Sequence, residues 1–216
     1  MIVALDGPAG AGKSTVARRV AEALDFHFLD TGAMYRAVAA AALDEGIDLD
    51  DGARLAEVAG RVSADPAGAR VLLDGRDVSA TLRTPEVTAA VSRVAAHPEV
   101  RRALVEEQKR LLAAGNLVIE GRDTGSAVAP EADVKVFLTA TLEERARRRC
   151  VQLGRPPEGA TLAETAREIA ARDAADSTRE ASPLIKPPGA LELDTTGMSL
   201  EEVVEAVVVL VRDRSR

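Results

Sequence analysis

The stretch DGPAGAGKST at residues 6–15 constrains the fold of this chain more than any other segment. It follows the short apolar run IVAL at residues 2–5, and a periodic helical pattern begins near Lys13. The spacing is G-x-x-x-x-G-K-[ST], in which the glycines let the backbone curl so that its N–H groups face one concavity. A strand, this loop and a helix in that order predict a P-loop, which binds the phosphates of a nucleoside triphosphate.

The chemistry of such a loop assigns a task to each residue type in it. Lys13 can bridge the β- and γ-phosphates of the triphosphate, and the Ser14 hydroxyl can ligate Mg²⁺. The motif alone leaves open whether water, a small molecule or a switch partner receives the phosphoryl group. We expect the nucleoside triphosphate to be held by Gly7, Pro8, Ala9, Gly10, Ala11, Gly12, Lys13, Ser14 and Thr15.

Short apolar strands alternate with longer helical patterns along the chain. This alternation predicts a three-layer α/β fold, in which a five-stranded parallel sheet carries helices on both faces. The predicted strands are 2–5, 26–29, 117–120, 134–138 and 190–194. The predicted helices are 13–25, 31–45, 51–63, 85–96, 98–114, 141–153, 161–179 and 199–213. Ligands of such open sheets bind beyond the carboxyl ends of the strands.

Two segments contain more than the simple alternation of one strand and one helix requires. Between residues 63 and 84, the pieces RVLL and DVSA flank an Asp-Gly dipeptide and predict a small β-hairpin. Between residues 154 and 189, GRPPEG and PLIKPPG bracket a charged helix. Glycine and proline at both ends of this helix are typical of a hinged flap.

The composition excludes several classes of protein. With 28 Lys and Arg against 35 Asp and Glu, the net charge is −7, which argues against a protein that coats nucleic acid. A single cysteine, Cys150, cannot build a disulfide framework. No apolar run approaches the length of a membrane span or of a signal segment. We therefore expect a soluble, cytoplasmic protein with neither nucleic acid nor membrane as a partner.

A second polar segment, DTGAMYR, directly follows the second predicted strand and lies at the same sheet edge as the P-loop. Thr31 can cap the helix that starts there. Met34, Val38 and Ala41 form its buried stripe, and Arg36 lies off that stripe. Thr31 and Arg36 are therefore candidates for holding an acceptor substrate.

The third strand ends in EGRDTG, which places Arg122 and Asp123 just beyond the sheet edge. Charged residues at this position are costly unless they bind a ligand or one another. Asp123 could orient a ribose, pair with an arginine or support Mg²⁺ through water. Glu120, the last strand residue, is the alternative carboxylate for the metal.

Two groups of arginines lie late in the chain. Arg172, Asp176 and Arg179 have the spacing i, i+4, i+7 and share one helix face, either as a surface ion-pair ladder or as a flap that brings cations to the phosphates. The flanking glycines and prolines favour the flap. Arg145 and Arg149 repeat the i, i+4 spacing and could meet the donor nucleotide or form a solvated face.

Taken together, these motifs closely resemble the bacterial cytidylate kinases, a family of the nucleoside monophosphate kinase group. The resemblance covers almost the whole chain. It is carried by IVALDGPAGAGKST, FLDTGAMYRA, LDGRDVSATLRTPEV, VSRVAAHPEVRRAL, IEGRDTGSAVAPEADVKVFLTA and REIAARDAADSTREASPL. DTGAMYR and GRDTG are far more specific than the P-loop.

The resemblance implies transfer of a phosphoryl group from ATP to CMP or dCMP with Mg²⁺, by a protein that we expect to be a monomer. It implies a core of residues 1–30, 115–154 and 190–216, a monophosphate-binding region of 31–114, and a lid of 155–189. Charge on the transferring group would be stabilised by Lys13, Arg122, Arg172 and Arg179. The acceptor would be held by Thr31, Arg36, Ser92, Arg101, Arg122, Asp123, Asp176 and Arg179.

The chain departs from the family pattern in two places. Members often carry further lid arginines where this chain has Ala174, Ala175 and Ser177, so we expect the three charged lid residues to matter more here. The loop SADPAGAR at residues 63–70 is short for the family, which limits the expected extent of the inserted sheet.

Overall fold

The structure is a computed structural model, and it describes residues 1–65 and 70–214. Its strands are β1 Ile2–Asp6, β2 His27–Asp30, β3 Val62–Ala64, β4 Val71–Leu73, β5 Arg76–Asp77, β6 Leu117–Gly121, β7 Val134–Thr139 and β8 Leu191–Asp194. Its α-helices are α1 Lys13–Leu24, α2 Thr31–Asp44, α3 Gly52–Ala59, α4 Pro85–Val94, α5 Pro98–Leu112, α6 Leu142–Gln152, α7 Gly159–Thr178 and α8 Leu200–Arg214.

The main sheet has five parallel strands in the order β2-β6-β1-β7-β8, as the alternating pattern predicts. Strand β1 is central, and it pairs with β6 and β7 in a register that sets Asp6 opposite both Gly121 and Phe137. On the far side of β6, Asp30 of β2 lies opposite Glu120. The carboxyl ends of these strands therefore meet at one edge.

Helices cover both faces of the sheet, so that the inner strands β1 and β6 are buried on both sides. Successive side chains of a strand point to opposite faces. In β1, Val3 and Leu5 pack in a cluster with residues of α1 and α8, whereas Ala4 packs in the cluster built by α2, α3, α4 and α5. The result is a three-layer arrangement with an aliphatic core on each face.

A separate antiparallel sheet of three strands, in the order β3-β4-β5, lies between α3 and α4. The predicted hairpin is confirmed, with its turn at Asp74 and Gly75, where φ is 50° and 76°. Positive φ at both positions suits Asp-Gly in a tight hairpin turn. The second hairpin strand is shorter than predicted, because Ser79–Thr81 forms a 3-10 turn.

The predicted helix over 51–63 was wrong at its end. Helix α3 ends at Ala59, and Val62–Ala64 forms the third strand of the small sheet, paired with β4. The apolar residues Val58 and Val62 fit helical spacing, but pairing with another strand overrides such a local pattern. Residues 66–69 of the short loop before the hairpin lie outside the described residues.

Gly7 shows how closely the P-loop packs on the sheet. Its φ is 150°, and a Cβ placed on it would lie 2.0 Å from the backbone oxygen of Leu138 in β7. We predict that Gly7→Ala lowers the free energy of unfolding by about 3 kcal/mol or more, because backbone must shift to admit the methyl group. Urea unfolding measures this loss.

Gly46→Ala is the matched control for this substitution. Gly46 also has a positive φ, 65°, but a Cβ there would meet nothing within 4 Å. It should lose only about 1 kcal/mol from backbone strain. Equal losses for the two variants would contradict the close packing of Gly7 against β7.

Candidate active site

The P-loop forms as predicted between β1 and α1. Gly10 and Gly12 have φ of 77° and 85°, so both adopt the left-handed conformation that lets the loop curl. Helix α1 begins at Lys13, whose Nζ donates to the Pro8 carbonyl oxygen at 2.7 Å. Burial, with a contribution from the nearby Arg122 guanidinium, lowers the pKa of Lys13 to about 7. An anion in the loop would favour the charged form of this lysine.

Glu120 at the end of β6 links the P-loop to the start of α2. Ser14 Oγ donates to Glu120 Oε1 at 2.6 Å, and Thr31 Oγ1 donates to the Glu120 carbonyl oxygen at 2.8 Å. Burial and the neighbouring Asp30 carboxylate raise the pKa of Glu120 to about 7. Glu120, rather than Asp123, is therefore the carboxylate that contacts Ser14.

The prediction that Thr31 caps α2 was wrong. Asp30 is the N-cap, and its Oδ1 accepts from the Ala33 N–H at 2.9 Å. Thr31 is the first helical residue, so its hydroxyl is free of the capping role and reaches the backbone of β6 instead. The other carboxylate oxygen of Asp30 lies 3.1 Å from Arg83 Nη2.

Arg36 points from α2 toward the inserted region. Its Nη1 donates to Thr88 Oγ1 on α4 at 2.8 Å. Burial, with a contribution from the Arg83 guanidinium, lowers the pKa of Arg36 to about 10. Ser92, a residue of α4 that was predicted to bind the acceptor substrate, is partly buried.

A buried charge network joins the GRDTG segment to helices α5 and α7. Arg101 of α5 forms an ion pair with Asp123, and Arg179 Nη2 lies 3.6 Å from Asp123 Oδ1. Arg122 Nε donates to Asp176 Oδ2 at 2.9 Å, and Arg179 Nη1 lies 3.7 Å from Asp176 Oδ1. The structure thus brings together five residues from three segments that lie far apart in the sequence.

Several nitrogens of these arginines have no acceptor. Within residues 1–65 and 70–214, Arg101 Nε, Arg172 Nε and Arg179 Nη2 are buried without a hydrogen-bond partner. Burial, with a contribution from the Arg122 guanidinium, lowers the pKa of Arg172 to about 10. Buried donors without acceptors are unfavourable, so this part of the molecule is suited to an anionic or polar ligand.

Arg145 and Arg149 occupy different environments. Arg145 is buried, donates to the carbonyl oxygens of Ala9 at 2.9 Å and Ala140 at 3.0 Å, and pairs with Asp173 of α7. Arg149 donates to the side-chain oxygen of Gln152 at 2.8 Å. A contact of either arginine with the donor nucleotide stays a prediction, as does one by Thr15, which is exposed on α1.

Sequence reasoning did not find Asp6 as part of the site. Its carboxylate accepts from Thr124 N at 2.8 Å, Thr124 Oγ1 at 2.9 Å and Gly125 N at 2.8 Å. Burial raises the pKa of Asp6, although these three hydrogen bonds oppose the shift. Asp6 thereby fixes the turn after β6 against β1. The only sequence signal was a charged residue directly after an apolar run.

A P-loop at the carboxyl edge of a parallel sheet, with Arg172 of α7 near its lysine, is the arrangement expected of a P-loop kinase. A model of the family described as cytidylate kinase matches residues 3–213. The chain therefore belongs to the cytidylate kinase family.

Curated relatives agree with this assignment. The chain is 49% identical to a cytidylate kinase of Lysinibacillus sphaericus (strain C3-41), over 98% of this chain and 96% of that protein. It is 51% identical to a bifunctional pantoate ligase/cytidylate kinase of Synechococcus sp. (strain CC9605), over 99% of this chain and 46% of that protein.

The fold is similar to that of a gluconokinase from Sinorhizobium meliloti 1021, with a TM-score of 0.53 and 17% identity, over 99% of this chain and 93% of that chain.

Across residues 1–65 and 70–214, no helix has the length and apolar character needed to cross a membrane.

The buried pair of Arg101 and Asp123 yields a prediction about stability. Asp123→Asn should lower the free energy of unfolding by about 3 kcal/mol, because it leaves buried guanidinium charge without its carboxylate. The matched control is Asp50→Asn, which removes the carboxylate of an exposed pair with Arg93. Exposed pairs contribute little, so urea unfolding should detect no change in the control. Equal effects in both variants would contradict the buried network.

Proposed function

We propose that this chain transfers the γ-phosphoryl group of ATP to CMP or dCMP, yielding ADP and CDP or dCDP. The proposal is supported by membership of the cytidylate kinase family and by buried arginine nitrogens that lack hydrogen-bond acceptors. The observation that carries it is Arg172, one of these arginines, whose charge adds to the effect of burial in lowering the pKa of the P-loop lysine. A phosphate oxygen of the acceptor attacks the γ-phosphorus, and the bond from that phosphorus to the β-γ bridging oxygen breaks. ADP carries away the electron pair of that bond.

On the donor side, we propose that the amides of Gly10 to Ser14 hold the phosphates. The Ala9 N–H already donates to Asp173, so we assign it no phosphate contact. Lys13 lies at the head of α1, where its ammonium group can follow the charge that develops on the transferring oxygens.

The residues present also fit Mg²⁺. Ser14 Oγ and Glu120 Oε1 lie 2.6 Å apart beside the loop, and Mg²⁺ prefers a few protein oxygens while phosphates and waters complete its shell. We propose these two side chains as its protein ligands, Glu120 acting directly or through water. When bound, the ion supplies positive charge that neutralises the donor phosphates.

On the acceptor side, we propose that Thr31, Arg36 and Arg122 hold the monophosphate. Cytosine and ribose recognition falls to Ser92, Arg101, Asp123, Asp176 and Arg179. Their carboxylates and guanidinium groups offer both acceptors and donors, which a base edge and a ribose hydroxyl require.

The division of the chain follows from these roles. We propose that residues 31–114 form the monophosphate-binding region and 155–189 the lid, around a core of 1–30, 115–154 and 190–216. We also propose that the protein acts as a monomer. Arg122, Arg172 and Arg179 would surround the transferring group once the lid is closed, in a reaction that depends mainly on positioning and charge neutralisation.

An acceptor panel tests this function. ADP formation from Mg-ATP should be stimulated most by CMP and dCMP, less by UMP, and little by AMP or GMP. The physical reason is that a site with fixed donors and acceptors rejects bases that leave them unpaired. A coupled ADP assay measures each rate. Stimulation by another acceptor, but not by CMP, would assign the chain a different substrate.

Arg36→Ala tests the assignment of the acceptor phosphate. It should raise the KM for CMP by about tenfold or more and leave the affinity for ATP nearly unchanged, because it removes a charged donor on the acceptor side only. Arg102→Ala, which removes an exposed arginine of α5, is the control and should leave both unchanged. An equal loss of ATP affinity would move Arg36 to the donor side.

A further inference from the structure

One residue of the lid helix α7 that contacts the P-loop, Asp173, has no part in the proposed reaction. Asp173 Oδ1 accepts a hydrogen bond from the Ala9 N–H at 2.8 Å. Its other carboxylate oxygen pairs with Arg145 Nη1, and that nitrogen also donates to the Ala9 carbonyl oxygen at 2.9 Å. The N–H and the C=O of a single P-loop residue are therefore both held by one ion pair.

The contact of Asp173 and Arg145 with Ala9 is largely shielded from solvent. The side chains of Arg145 and Asp173 are 11% and 17% exposed, so the pair is stronger than a surface ion pair. Arg145 is fixed independently of the lid, because its Nε donates to the Ala140 carbonyl oxygen. A Cβ on Gly10 would lie 2.9 Å from the Arg145 carbonyl oxygen, which shows that the loop lies directly against α6.

Apolar side chains also pack around Ala9. Ala9 is buried in a small cluster with Ala146 of α6 and Ile169 of α7. Leu162 and Ala166, also on α7, pack against the cluster while remaining partly exposed. The lid helix thus meets the donor loop through a charged contact and an apolar contact that are adjacent.

Asp173 directly follows Arg172, and consecutive helical residues point about 100° apart. Asp173 faces Ala9, whereas Arg172 lies near enough to Arg122 for that guanidinium to add to the effect of burial in lowering the pKa of Arg172. One turn further along, Asp176 accepts from Arg122. A single stretch of α7 thus contacts both the donor loop and the arginines assigned to the acceptor.

We propose that Asp173 is a positioning residue that docks the lid helix onto Ala9 of the P-loop and thereby sets Arg172 against the transferring phosphoryl group. The inference rests on the proposed function for its catalytic part. Arg145 is the fixed partner in this contact, and its main task is to hold the loop and the lid together. Loss of the contact leaves the lid helix intact but releases it from the donor loop.

Hydrogen exchange of the Ala9 amide, followed by NMR in the substrate-free protein, tests the contact. In Asp173→Ala this amide should exchange about tenfold faster or more, since it loses a hydrogen bond to a charged acceptor. Amides of the buried residues of α2 should exchange at unchanged rates. Asp173→Asn retains an oxygen for Ala9 but not the ion pair, so its effect should be smaller, and it provides the test should Asp173→Ala fail to fold.

Steady-state kinetics test the positioning role. Asp173→Ala should lower kcat/KM for ATP by about tenfold to a hundredfold, with a fall in kcat. Because both side chains hold Ala9, combining it with Arg145→Ala should cost less than the two single effects together. The control is Glu164→Ala, an exposed acid on the same helix, which should change neither exchange nor rates.

Unchanged exchange at Ala9 in both Asp173 variants would overturn the docking contact. Faster exchange with wild-type kinetics would overturn the positioning role, and faster exchange throughout α2 would show a merely structural residue. Hydrogen exchange is measured without substrate, so its result does not depend on the proposed function. Failure of the proposed function would be seen separately, as an absence of CMP-dependent turnover in the wild-type protein.

Discussion

The hydrogen bonds of the central strand β1 to both of its neighbours position every part of the site. They align the carboxyl ends of β6, β1 and β7 at one edge, and β2 joins that edge through β6. Three of the connections that leave this edge carry candidate site residues: the P-loop after β1, Thr31 after β2 and Arg122 after β6. Asp6 adds a side-chain tie, because its carboxylate binds the turn that follows β6.

The cost of this arrangement lies in its concentrated positive charge. The chain as a whole is acidic, with a net charge of −7, yet arginines from three parts of the sequence meet around two carboxylates. Buried charges and donors without partners are unfavourable in the free protein. An anionic ligand that binds only the folded state would offset this cost and stabilise the protein by mass action. The site therefore exchanges some intrinsic stability for affinity toward phosphates.

The sequence predicted the parts of the fold that local patterns determine. The five parallel strands, the P-loop and the Asp-Gly hairpin each have a short-range signal and were found. The end of α3 and strand β3 were not, since Val62 obeys helical spacing and only its pairing with β4 makes it a strand. The N-cap of α2 was misplaced by one residue, because Asp30 and Thr31 are both good capping residues and adjacent.

The candidate site residues likewise divide into those that have a local sequence signal and those that do not. Lys13, Ser14 and Arg36 could be proposed from motif and helix face, whereas Arg101 and Ser92 entered only through resemblance to a family. Asp173 was passed over because its neighbour Arg172 had the conspicuous spacing, and nothing local indicates that Ala9, more than 160 residues earlier, is its partner. Long-range contacts of this kind depend on how helices pack, which periodicity does not encode.

Phosphorus-31 NMR of the protein with Mg-ATP and CMP tests the central claim most directly, because it observes the donor and the acceptor at once. Direct transfer between two sites at one sheet edge predicts that ADP and CDP appear at equal rates, without inorganic phosphate. Formation of ADP with inorganic phosphate and no CDP would contradict the claim, since it would make water the acceptor.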